Sequence, residues 1–231
     1  MAELRPPLRL DSAGQAALAK LTRPGEGSVI GRLKQTCSDG EWALEEVRHR
    51  AHAYSAMLAA GTDSGAAAWA EALRWFGARI SRGSAPLYAQ DQFERRFGSV
   101  VTYKRSTSAK LPNVEERPRI YLDAADMARL TEMTAAGGDR EQRLARLLEA
   151  ALDGLTIRAR FVRTAEQYAA ALNDSNDPAA GAWAEALKWV AGGIPDASAA
   201  AEAHQRLLSR FPSLSGTAAP SLAMPHPRHG T

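Results

Sequence analysis

Two short stretches alternate apolar and polar residues: Leu8 and Leu10 around Arg9, and Ile120 and Leu122 around Tyr121. Such alternation predicts a strand with one apolar face, and Pro6-Pro7 and Pro118 disfavour helix just before it. Asp11 and Asp123 follow, each placed to cap the helix that comes next. The spacing then becomes helical. Leu18 and Leu21, or Met127, Leu130 and Met133, mark a first helix that Pro24-Gly25 or Gly137-Gly138 stops. A second helix runs to Asp39-Gly40 or Asp153-Gly154, its face clearest in Leu144, Leu147, Leu148, Ala151 and Leu152. A long helical stretch through Tyr54 and Leu58, or Tyr168 and Leu172, ends in a Gly/Asp/Ser/Asn turn. The next helix puts Trp69, Leu73, Phe76 and Ile80 on one face, echoed by Trp183, Leu187, Val190 and Ile194, and a last helix ends at Phe97 or Phe211.

The pattern is thus written twice. Arg5-Pro6-Pro7-Leu8-Arg9-Leu10-Asp11 returns as Arg117-Pro118-Arg119-Ile120-Tyr121-Leu122-Asp123, and Ala68-Trp69-Ala70-Glu71-Ala72-Leu73-Arg74-Trp75 returns as Ala182-Trp183-Ala184-Glu185-Ala186-Leu187-Lys188-Trp189. Two additional residues after Gly137 are the only gap needed. We read a tandem duplication in a mainly α fold, each copy a strand plus about five helices, with the two strands as candidates for an antiparallel ribbon. Residues 5–99 form the first copy and 117–213 the second. Between them, 100–116 is a basic linker, with Ser99 to Lys104 as a candidate extra strand, and 214–231 is a Ser-, Pro-, Gly- and His-rich tail expected to be disordered.

Composition narrows the class. Apolar residues make up 45% and charged residues 24%, while aromatics are only 6%, a balance that suits closely packed alanine-rich helices. The net charge of +3 is compatible with nucleic acid without demanding it. The single cysteine, Cys37, excludes an internal disulfide and suits a reducing compartment. Its counterpart is Ala151, so a buried structural thiol is expected. With no apolar leader at the N-terminus and no membrane-spanning run, the expected location is cytoplasmic.

The strand and two helices of the second copy, Arg119-Ile120-Tyr121-Leu122-Asp123, Leu130 and Arg146-Leu147-Leu148-Glu149-Ala150-Ala151-Leu152, resemble the ribbon-helix-helix family of DNA-binding proteins. The likeness covers about 36 residues there and extends more faintly over Arg9 to Gly40. Family members pair their lone strand with that of a second subunit, and in a duplicated chain the second copy would supply it. The resemblance implies that the ribbon enters the major groove of double-stranded DNA. Arg9, Arg119 and Tyr121 would then face the bases, while Arg5, Arg117, Lys104 and Arg105 contact phosphates. It also implies a transcriptional regulator or an accessory factor of a plasmid or other mobile element. The family binds phosphate at the N-terminus of its second helix, and here Asp139 and Glu141 stand at that point in copy two.

The other motifs point to structure more than chemistry. Trp69 and Trp183 share a face with aliphatic residues and read as core. Trp75 and Trp189 lie off that face, and their helices are candidates for an inter-repeat contact, a homodimer or a protein partner. Glu45, Glu46, His49 and His52 stand at helical spacing but lack further ligands, and read as a charged surface rather than a metal site. Gly25-Glu26-Gly27-Ser28-Val29-Ile30-Gly31 lacks the Lys-Ser/Thr ending of a phosphate loop and reads as a turn. No catalytic constellation, metal or cofactor site is expected. The competing reading is a non-enzymatic helical scaffold or adaptor.

Overall fold

The structure, a computed structural model, describes residues 8–22, 27–99, 119–134, 138–193 and 199–216. Strand β1 (Leu8–Arg9) is followed by α1 (Ser12–Leu21), α2 (Val29–Ala59), α3 (Ala66–Arg79) and α4 (Ala85–Phe97). The same order returns as β2 (Arg119–Ile120), α5 (Ala124–Thr134), α6 (Arg140–Ala171), α7 (Ala180–Gly193) and α8 (Ala200–Arg210), with 3-10 turns at Leu172–Asp174 and Pro212–Leu214. The fold is mainly helical. Expectations for Arg5, Arg117, Lys104, Arg105, the 100–116 linker and the tail beyond Gly216 fall outside the described residues. Leu214, assigned to the tail from sequence, is buried at the end of its 3-10 turn.

Among the described residues each half has four α-helices rather than about five, because the second and third predicted helices are one. Asp39-Gly40 and Asp153-Gly154 do not end a helix; they lie inside α2 and α6, of 31 and 32 residues. The glycines serve a close approach between the two helices. A Cβ on Gly40 would stand 2.2 Å from the Gly154 Cα, and one on Gly154 would stand 2.4 Å from the Thr36 carbonyl oxygen. Cβ atoms do not tolerate such distances, so tertiary packing, not turn geometry, explains these residues.

The chain forms two compact units that do not follow the sequence repeats. One takes the described residues within 8–41 and 119–156, and the other those within 42–99 and 157–216. Each unit therefore draws on both halves. In the first, Leu8, Leu10, Leu122, Ile30, Leu33, Leu130, Leu144 and Leu148 form an aliphatic core, with Cys37 half-buried against it. The alternation read from sequence puts Leu8, Leu10 and Leu122 inside, and Asp11 and Asp123 cap α1 and α5 by accepting from the Gly14 and Asp126 amides at 2.7 Å each.

The second unit is built on aromatic residues. Helices α3 and α7 pack along their lengths, and α4 and α8 cover them. Trp69 donates to Glu185 Oε2 and Trp183 to Glu71 Oε2, both at 3.3 Å. Trp75 and Trp189, expected off the apolar face, are only 6% and 8% exposed. Their indole N–H groups donate to the Ala89 and Ala203 carbonyls at 2.6 and 2.8 Å. Helix α3 is buried nearly all round, which a single apolar stripe does not reveal. These tryptophans are thus unavailable to a partner at the surface. Glu46, expected on a charged surface, is 3% exposed and binds Arg50 at 2.5 Å and Arg158 at 2.9 Å. A carboxylate at that depth is retained because two guanidinium groups neutralise it.

Candidate nucleic-acid interface

β1 and β2 lie antiparallel, with Leu8 opposite Ile120 and Arg9 opposite Arg119. Alternation then sends successive residues to opposite faces. The Leu8 and Leu10 side chains enter the core, that of Arg9 is half-buried, and Tyr121, just beyond β2, is 70% exposed. Of the residues that sequence placed on this surface, the register brings Arg9 and Arg119 to facing backbone positions, with Tyr121 next to them in the chain.

The backbone of β1 is engaged on its other side as well. The Arg9 amide donates to Glu141 Oε1 at 2.7 Å, and the Glu141 amide donates to Asp139 Oδ1 at 3.0 Å. The two acidic residues that sequence set at the start of α6 are thus structural: one holds a strand amide and the other accepts from a first-turn amide.

At the start of α2 a different residue does similar work, and sequence reasoning missed it. Asp126, in the first turn of α5 and 1% exposed, reaches the N-terminus of α2. Its Oδ2 accepts from the Val29 amide at 2.7 Å, while Oδ1 accepts from the Ile30 amide at 3.1 Å and the Ser28 hydroxyl at 2.5 Å. Ser28 Oγ accepts in turn from the Gly31 amide at 3.0 Å and from the Arg129 guanidinium. A helix N-terminus attracts an anion through its unpaired amides and its dipole, and here an internal carboxylate fills that place. The one available signal was a difference between the copies: the position of Asp126 is glycine, Gly14, in the first half. The phosphate-binding helix start that the family likeness implies is therefore closed by carboxylates at both α2 and α6.

The Cys37 thiol lies 3.7 Å from the Leu147 carbonyl oxygen, and burial, with Glu41 nearby, pushes it above the usual thiol range. A thiol held protonated is a poor nucleophile. Among the described residues no group of three His, Cys, Asp or Glu side chains is placed to hold a metal ion, and no helix is long and apolar enough to cross a membrane. Comparison with protein-family models, curated proteins and solved structures finds no match to this chain.

Proposed function

We propose that the protein is a sequence-specific DNA-binding protein, a transcriptional regulator or an accessory factor of a mobile element, that lays a two-stranded ribbon in the major groove. The observation that carries this reading is the antiparallel register that sets Arg9 opposite Arg119 while Leu8, Leu10 and Leu122 are turned into the core. A two-stranded ribbon fits a groove about 12 Å wide, and an arginine pairs with guanine O6 and N7 through two parallel hydrogen bonds. Tyr121 supplies an exposed ring and hydroxyl for a neighbouring base or phosphate. Because carboxylates fill the starts of α2 and α6, backbone anchoring falls to the basic residues flanking the strands, Arg5 and Arg117, and to Lys104 and Arg105.

Selection from randomised and genomic duplexes at two salt concentrations tests this, with the retained fragments sequenced. One enriched motif that survives the higher salt is expected. Arg9→Ala and Arg119→Ala should each cost about 1–3 kcal/mol at one base position and relax preference there. Replacing Lys104 and Arg105 should weaken binding evenly across sequences and flatten the salt dependence by about one unit per lost phosphate contact. Unchanged binding by both arginine variants would remove the ribbon from the interface.

The adaptor reading has one observation in its favour: Leu87 and Tyr88, adjacent on α4, are 71% and 67% exposed. Absence of any enriched motif, together with salt-insensitive capture of a protein that Leu87→Ser with Tyr88→Ser abolishes, would move the assignment there.

A further inference from the structure

A cleft of about 300 Å³ lies in the aromatic unit, where the end of α3 and the start of α4 meet α6. Arg79 lines it from α3, Ser81 from the turn that follows, Pro86 from α4, and Arg160 and Thr164 from α6. We propose that this cleft binds the carboxylate of a small polar molecule. The inference does not rest on the DNA-binding reading.

Three observations carry it. The lining holds two guanidinium groups and no carboxylate. Its apolar members Phe161 and Ile80 are 1% and 7% exposed, so a ligand here meets charge and hydrogen-bonding groups rather than hydrocarbon. The second observation is what Arg79 and Thr164 have left to offer. Arg79 donates through Nε to the Tyr168 hydroxyl at 3.0 Å, stands over that ring, and enters no ion pair among the described residues. Its two terminal nitrogens remain for an acceptor, and paired guanidinium N–H groups match the two oxygens of a carboxylate. The Ser81 hydroxyl is committed to the Gly77 carbonyl at 2.7 Å, whereas that of Thr164 makes no hydrogen bond among the described residues.

The third observation is the matching place in the other half, which already contains a carboxylate. Glu46 and Arg50 on α2 stand at the positions of Arg160 and Thr164, and Gly193 at that of Arg79. Glu46, buried, is bonded by Arg50 at 2.5 Å and Arg158 at 2.9 Å. With glycine at the end of α7, the Tyr54 hydroxyl, counterpart of the Tyr168 hydroxyl, makes no hydrogen bond among the described residues, and the cation comes from α2 together with its own carboxylate. In the first half the cation comes from α3, and a second cation holds the position of Glu46. A guanidinium in a partly enclosed place is best satisfied by an anion against it. The lining supplies none, which leaves that part to a ligand.

NMR titration of the isotope-labelled full chain with succinate, and with succinamide as the neutral control, tests the proposal at constant ionic strength. The Arg79 Nε–H and Thr164 amide signals are expected to shift and saturate with a dissociation constant on the order of 1 mM, at least about tenfold tighter than for succinamide. Arg79→Gln should remove that preference. Because Arg79 also holds Tyr168, a second variant leaves it in place. Arg160→Glu copies Glu46, and should abolish succinate binding in an otherwise unchanged spectrum, whereas Arg160→Gln should weaken it only about threefold. Succinate that fails to shift these signals, or binds no tighter than succinamide, would overturn the proposal. So would a preference that survives Arg79→Gln, or binding that survives Arg160→Glu. Tighter binding of inorganic phosphate than of succinate would overturn the assignment to a carboxylate.

Discussion

In the aromatic unit, several paired positions of the two halves make the same bond. Trp69 reaches Glu185 as Trp183 reaches Glu71, Trp75 holds the Ala89 carbonyl as Trp189 holds that of Ala203, and Arg96 binds Glu71 as Arg210 binds Glu185. In the strand-bearing unit the caps at Asp11 and Asp123 match, but other paired positions do not. Asp126 seals the start of α2 while its counterpart is Gly14, and Glu141 holds the Arg9 amide while its counterpart is Gly27. The physical difference lies in what each contact joins. Where α3 and α7 face each other, one residue type satisfies both sides of a mutual interface, so the halves agree. At a helix end or strand edge each half meets a different neighbour, and each is satisfied by its own residue.

The largest effects test the reciprocity directly. Trp75→Ala and Trp189→Ala should each cost about 4 kcal/mol in chemical denaturation, because each removes a buried ring together with its indole hydrogen bond. A loss at Trp189 less than half that at Trp75 would break the equivalence of the two halves. Next in size is Gly154→Ala in the strand-bearing unit. Its new methyl would press on the Thr36 carbonyl, and a net loss of about 2 kcal/mol is expected despite the better helix propensity of alanine. Gly181→Ala near the start of α7, where a Cβ meets nothing within 4 Å, should instead stabilise by about 0.5 kcal/mol.

Much of the frame was legible from local rules. The alternation at Leu8 to Leu10, the caps at Asp11 and Asp123, and the core roles of Trp69 and Trp183 follow from spacing alone. What escaped was set by residues distant in the chain. Asp-Gly at 39–40 and 153–154 carries a turn signal, yet each glycine is there for the other helix. Glu46 looks solvated until Arg158 comes alongside, and Trp75 looks peripheral until α3 is surrounded. On the strands the register sets Arg9 opposite Arg119, as an antiparallel pairing of the two copies requires, whereas the carboxylate over the start of α2 comes from another element altogether.

Two smaller predictions sharpen the asymmetry. Asp126→Asn should cost about 1–2 kcal/mol, since it weakens the cap on two α2 amides, whereas Gly14→Ala should leave the start of α6 unaffected as read by amide exchange there. The smallest concerns Asp177, whose carboxyl the Arg96 guanidinium holds below the ordinary carboxylate value. Because that shift is downward, its contribution is present above the unfolded-state value and fades as pH falls through the folded-state one. Carboxyl-detected NMR should show Asp177 titrating low, and Arg96→Gln should move it up. Asp63, at the matching position, is bonded instead by the Ser213 amide and hydroxyl.

The mutual tryptophan bonds also set a timetable for synthesis. Trp69 and Trp75 complete their surroundings only when Trp183, Glu185 and Phe211 have been made. At about 5–20 residues per second, the ribosome needs roughly ten seconds to travel from one tryptophan helix to the other. For that interval the nascent first half carries α3 with its indoles uncovered, a wait typical of folds rich in contacts between distant segments. A chain halted before the second half would leave that surface without its complement, whereas the second half finds its complement already made.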